Sequence, residues 1–215
     1  MGNIIQLGWD NYEPEVYRYK LPNLPKDSEI IGFDIRKKAD QKWVRQRVPD
    51  FKHMNAREQM LFIEREQQRC DEGVWFMSNG EPIYLTGMNY EHLNYNRFPN
   101  FEGDGYPAFY DAQRLDFYFR ELLMKTPTVL GGHWTKGRRF GLSSEEITNQ
   151  LHVATHDFNM NCCMVSITED KAYETLFNPL MYVVRNRPAF LKPDFYAPTG
   201  KEPQRVLEFT TKRLD

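Results

Sequence analysis

The chain has 215 residues, 40% of them hydrophobic and 27% charged, with a formal charge of −2. That is long enough for one good core, and the near-neutral balance excludes nucleic-acid binding by the surface as a whole, leaving that task to any local basic patch. An aromatic content of 14% excludes disorder throughout, and no apolar run approaches the ~20 residues of a membrane-spanning helix.

Residues 1–54 carry the turn-formers Pro14, Pro22, Pro25, Gly32 and Pro49, with basic residues at Arg36, Lys37, Lys38 and across 42–47. They read as an accessory arm with a solvated charged face, a DNA contact being the less favoured alternative. Residues 55–71 predict an amphipathic helix. Its stripe is Ala56, Met60, Ile63, Gln67 and Cys70, its N-cap is Asn55, and Glu58 stands at the capping-box spacing. Gly73 ends it. A hairpin follows, with 74–77 and 83–85 flanking Asn79-Gly80, the pair that best tolerates positive φ in a two-residue turn. Residues 86–95 read as an aromatic, polar-interleaved connection, and 100–106 as an acidic loop. A second helix is expected over 108–125, burying Phe109, Ala112, Leu115, Phe119, Leu122 and Leu123.

The most informative stretch is 128–146, T-V-L-G-G-H-W-T-K-G-R-R-F-G-L-S-S-E-E. A short strand at 128–130, a glycine-containing loop and then a helix form the context of a phosphate-binding loop. Backbone N–H groups and the positive helix end can face a polyphosphate there. Ser143 or Ser144 suits the N-cap, Glu145 and Glu146 the first turn, and Ile147, Leu151, Ala154 and Phe158 recur at helical spacing. The spacing G-x-x-x-x-G-K-[ST] is not met. Leu142 stands where the lysine belongs, while Lys136, Arg138 and Arg139 lie earlier, between and around Gly137 and Gly141. A basic turn capping an ordinary helix is the plain alternative. So is a non-catalytic module whose loop 136–139 touches nucleic-acid phosphates or a protein, and a small-molecule kinase is a more remote one.

Farther on, His152 and His156 have the i,i+4 spacing of metal ligands, with no third ligand evident in the sequence. The three cysteines, Cys70, Cys162 and Cys163, form no C-x-x-C, which suits small buried hydrophobes in a reduced, cytosolic protein. Residues 161–167 predict a buried strand, parallel to the one at 128–130 through a right-handed crossover. Glu169 and Asp170 are expected to cap a helix over 171–185 and not to form a Walker B. Residues 190–203 read as irregular, and 206–211 as the start of another strand.

The loop with its cation at the front, Lys136, Arg139, Gly141 and Ser143, resembles the deviant Walker A of large terminase subunits, the DNA-packaging motors of tailed phages. The run 72–90, E-G-V-W-F-M-S-N-G-E-P-I-Y-L-T-G-M-N-Y, independently resembles the segment before the ATPase core in that family. The start of the second helix, F-Y-D-A-Q-R at 109–114, is similar to its adenine-recognition segment. The resemblance covers roughly 56–215 and implies an α/β fold: a P-loop NTPase-like partial parallel sheet with a helix and β-hairpin lead-in. It divides the chain into 1–54, an accessory segment; 55–106, the lead-in; and 107–215, the first part of the ATPase core. It implies that ATP and Mg²⁺ are bound by Gln113, Lys136, Gly137, Arg138, Arg139, Gly141, Ser143 and Ser144. Gln113 would read adenine and Ser143 would ligate the metal. The Walker B and nuclease segments of a complete large terminase are not in this sequence. The implied partners are double-stranded DNA, a portal protein, a small terminase subunit and further copies in a ring, and the implied place is the host cytoplasm at the procapsid portal.

Overall fold

The computed structural model describes residues 4–6, 18–26, 29–31, 36, 48–99, 105–126, 128, 132, 135, 140–157, 160–195 and 206–210. The fold is mixed α/β. In chain order the strands and helices are β1 (Ile4–Gln6), β2 (Arg18–Lys20), β3 (Glu29–Ile31), α1 (Ala56–Glu72), β4 (Val74–Ser78), β5 (Glu81–Leu85), α2 (Gly87–Asn94), α3 (Asp111–Lys125), α4 (Leu142–His156), α5 (Glu169–Ala172), α6 (Asn178–Asn186), β6 (Asp194–Phe195) and β7 (Phe209–Thr210). The chain divides into two compact units, one of residues 1–90 and 108–140, the other of 91–107 and 141–215.

In the first unit β4 and β5 form the expected hairpin, Val74 opposite Leu85 and Ser78 opposite Glu81. Asn79 and Gly80 both take positive φ, 52° and 83°, as a type I′ turn requires. β3 adds in parallel on the other edge of β4, and β1 pairs antiparallel with β2. The accessory segment therefore enters the sheet and the core. Tyr19 of β2 is buried, its ring stacked on Tyr118 at 4.8 Å, and Tyr84 completes a cluster with Leu21, Trp75 and Leu122 around it. Arg36 of the basic patch is ion-paired with Asp111 at 2.8 Å and Glu81 at 3.2 Å.

Helix α1 starts with the anticipated capping box: the Asn55 side chain accepts from the Glu58 N–H, and the Glu58 carboxylate from the Asn55 N–H. Its buried face is Phe62, Glu66 and Cys70, while Met60 of the expected stripe is 58% exposed. The stripe is rotated because Glu66 has partners that make its burial tolerable. The Tyr90 hydroxyl donates to it at 2.5 Å and Arg69 at 2.9 Å. Residues 87–94 form helix α2, not an irregular connection. Gly87 permits this, because a Cβ there would lie 1.8 Å from the Cys70 carbonyl oxygen at the end of α1. In α3 the buried residues are Gln113, Phe117, Tyr118 and Arg120, and Ala112 and Leu115 are exposed instead. The buried charge of Arg120 is satisfied by Asp116 one turn earlier, at 2.7 Å.

The second unit is built around Phe98, Ile147, Leu151, Leu180, Val183 and Val184, with Met164, Phe195, Leu207 and Phe209 against them. Helix α4 begins at Gly141, which has φ 92° and ψ 8°, and no side chain caps it. The serine N-cap is thus displaced: Ser143 and Ser144 lie inside the first turn. Thr168 caps α5, accepting from the Lys171 N–H, so the hydroxyl and not the expected carboxylates makes the cap, and Glu169 and Asp170 lie inside the first turn. A π-helical stretch, Tyr173–Phe177, joins α5 to α6. β6 and β7 pair antiparallel.

The parallel pair anticipated between 128–130 and 161–167 does not form among the described residues. Residues 161–167 contain no strand, and Val129 and Leu130 lie outside the described residues. Val165 and Ile167 are 83% and 88% exposed, so this apolar stretch buries too little to act as a core strand.

Candidate functional site

The front of the phosphate-type loop, Lys136, Gly137, Arg138 and Arg139, lies outside the described residues. Gln113, in the first turn of α3, is 5% exposed, and its Nε2 donates to the carbonyl of Phe140 at 2.9 Å. The segment read as adenine-recognising is therefore fastened to the residue that closes the loop. Its neighbour Asp111 is held by Arg36 and Arg114. Burial pushes the Asp111 carboxyl up, but the two arginine hydrogen bonds outweigh it, and the pKa falls below the ordinary carboxylate value.

In the second unit Gly141, Ser143 and Ser144 share the start of α4. The helix ladder begins with the Ser144 and Glu145 N–H groups on the Gly141 carbonyl, at 3.0 and 3.2 Å. The Ser143 side chain faces solvent, whereas Ser144 is buried and its Oγ donates to the same carbonyl at 2.7 Å. Of the two hydroxyls, Ser143 is the one available to a ligand. Glu145 beside them is fully buried. Glu169 and Asp170 line a cavity of about 1200 Å³ with Leu151, Tyr173 and Phe209.

A second constellation is built around Glu91 of α2, which is 0% exposed. Its Oε1 is ion-paired with Arg187 Nη2, and Arg187 Nε donates to Asn96 Oδ1 at 3.0 Å. Its Oε2 lies 2.7 Å from His152 Nδ1 and 3.5 Å from His156 Nε2. The two rings stack with centroids 4.2 Å apart, as i,i+4 placement on α4 dictates. Next to Glu91, His92 Nδ1 is 2.8 Å from Thr148 Oγ1, which also accepts from Asn96 Nδ2 at 3.1 Å. Glu91, Arg187, Asn96 and Thr148 are thus tied together by hydrogen bonds and ion pairs, which is what makes their burial tolerable.

The histidine spacing was legible in the sequence, but Glu91, Arg187, Asn96 and Thr148 were not. The available signal was a carboxylate and a histidine side by side in an otherwise aromatic and amide-rich run, Asn89-Tyr90-Glu91-His92-Leu93-Asn94. Cys162 is exposed and Cys163 with it. Partial burial and the nearby Glu146 and Asp157 charges push the Cys162 thiol up, away from thiolate reactivity. Compared with protein-family models, curated proteins and solved structures, the chain finds no match in any of the three.

Proposed function

We propose that this chain is the N-terminal, ATP-binding portion of a phage large terminase subunit, the motor that packages double-stranded DNA into procapsids. The observation that carries the proposal is the hydrogen bond from the buried Gln113 amide to Phe140. A terminase-type site uses an adenine-reading glutamine together with a phosphate loop, and a bond from that glutamine to the residue before Gly141 supports the reading. A glutamine amide can donate to and accept from the adenine edge together, so one bond to the backbone leaves it recognition capacity.

The residues at the start of α4 suit the phosphate end. The positive helix end favours an anion, and the exposed Ser143 hydroxyl is the group that would ligate Mg²⁺. In this reading Lys136, supported by Arg139, neutralises β- and γ-phosphate charge, and a long side chain can do so from the front of the loop as well as from its end. Gly141 lets the backbone approach. The finer fold, strand 128–130 before the loop within a P-loop-like sheet, belongs to the same proposal. So do the partners: double-stranded DNA, a portal protein, a small terminase subunit and a homo-oligomeric ring at the portal.

The test compares Mg-ATP with a DNA duplex as ligands across a range of salt. A nucleotide site prefers ATP over duplex at moderate ionic strength and loses affinity when Gln113 is replaced by Ala. Affinity for duplex that collapses with salt, with indifference to ATP, supports the nucleic-acid module instead. Phosphate release from the chain alone should stay at background with or without DNA. Glu169 and Asp170 lie in the first turn of α5, and hydrolysis needs an acid that positions the attacking water.

A further inference from the structure

We infer that Glu91, His152 and His156 form a binding site for a divalent transition-metal ion of the zinc class, which clamps α2 to α4. Their ligating atoms all lie within 4.8 Å of one another. Metal–donor bonds of about 2.0–2.1 Å at tetrahedral angles place donors about 3.4 Å apart. The observed 2.7 and 3.5 Å from Glu91 Oε2 to the two imidazoles bracket that spacing, so small side-chain rotations suffice. The ion takes the place of the proton between Glu91 and His152, and that proton leaves to solvent.

Two histidines and one carboxylate are a borderline donor set that zinc accepts, with a fourth position left for water. The site has a closed side and an open one. Glu91 is fully buried, while the side chains of His152 and His156 are 13% and 21% exposed, which gives the ion an entry path and the water its place. The surroundings already orient the ligands. Arg187 holds the far oxygen of Glu91 and is itself fixed by Asn96, the kind of outer-shell support that ligating carboxylates use. The guanidinium charge also opposes the ion, so this site binds more weakly than a four-ligand structural zinc site. Among the described residues, the charged and titratable groups in contact at this site include Glu91, Arg187 and the two imidazoles, with His92 turned to Thr148 on the neighbouring position of the helix.

The site is independent of the nucleotide reading, because none of its ligands belongs to the loop or to α3. The experiment uses the full chain carrying Cys162→Ser and Cys163→Ser, which removes the two exposed thiols as competing ligands. The protein is stripped with chelator and titrated with Zn²⁺ by calorimetry, and Co²⁺ is used to read coordination by visible absorption. The expected result is one ion per chain and a melting temperature raised by about 5–10 °C at a hundredfold excess over Kd. His156→Ala should weaken the binding at least tenfold and abolish the Co²⁺ spectrum. Because His156 is partly exposed, this variant should melt in chelator close to the parent. His156→Gln provides a second variant that keeps the side-chain volume. Unchanged Zn²⁺ affinity in both variants, or no uptake by the parent chain, overturns the proposal and leaves the cluster as a buried ion-pair network.

Discussion

Replacing Arg187 with methionine should loosen the second unit severely. Arg187 is 5% exposed and Glu91 0%, so the substitution strands a carboxylate in the interior with only imidazole partners. Removing one partner of a buried pair costs about 3–5 kcal/mol, because the remaining charge keeps its desolvation penalty. Asn96 Oδ1 also loses its guanidinium donor, an effect contained within that range. The assay is native-state amide exchange over α4 and α6 in the presence of chelator, which reads local opening in this unit without requiring the whole chain to unfold in two states. A loss of 3–5 kcal/mol accelerates exchange by two to four orders of magnitude, since about 1.4 kcal/mol is tenfold. Adding Glu91→Gln to Arg187→Met removes the stranded charge and should recover at least half of the loss, a coupling that the double-mutant cycle measures. An acceleration below tenfold for Arg187→Met, or no recovery in the double variant, would show that the Glu91–Arg187 pair does not hold α2, α4 and α6 together.

Three further outcomes follow from the described geometry. Gly87→Ala should destabilise the first unit by several kcal/mol, as overpacking against backbone does, because the new Cβ meets the Cys70 carbonyl at 1.8 Å; a change in urea midpoint too small to measure would contradict the close approach. The phenols of Tyr19, Tyr84, Tyr90 and Tyr118 are raised, in each case chiefly by burial. Their neutral form is favoured on folding, so stability is level below the unfolded value of about 10 and falls above it, by on the order of 1.4 kcal/mol at pH 11 for each of Tyr19, Tyr84 and Tyr90; a urea midpoint unchanged from pH 9 to 11 would contradict this. Leu142→Lys should leave ATP affinity unchanged if the phosphate cation stands at the front of the loop, and a large gain measured by calorimetry would mean a damaged ordinary Walker A.

What could be read from the sequence was local. The capping box at Asn55 and Glu58 and the Asn79-Gly80 turn each depend on residues a few positions apart, and each forms as expected. What could not be read depends on distant partners. Glu66 falls outside the predicted apolar stripe of α1, yet it is buried because Tyr90, 24 residues on, supplies its hydroxyl. Helix α2 is buried along its whole length and so has no polar side to betray its period. The stretch 161–167 shows the converse: apolar content suggested a buried strand, yet no neighbour among the described residues pairs with it. At the site, His152 and His156 announce themselves by spacing on one helix. Glu91 and Arg187, 61 and 31 residues away from His152 and His156 respectively, converge on them only through folding.

The central claim is that this chain binds nucleotide through a loop whose cation stands at its front. Calorimetric titration of Mg-ATP into the parent chain and Lys136→Ala tests it most directly. A charge-assisted phosphate contact contributes about 1.5–3 kcal/mol, so the account predicts an affinity lower by roughly 10- to 150-fold in the variant. Equal binding by the two proteins, or no binding by the parent chain, would contradict it.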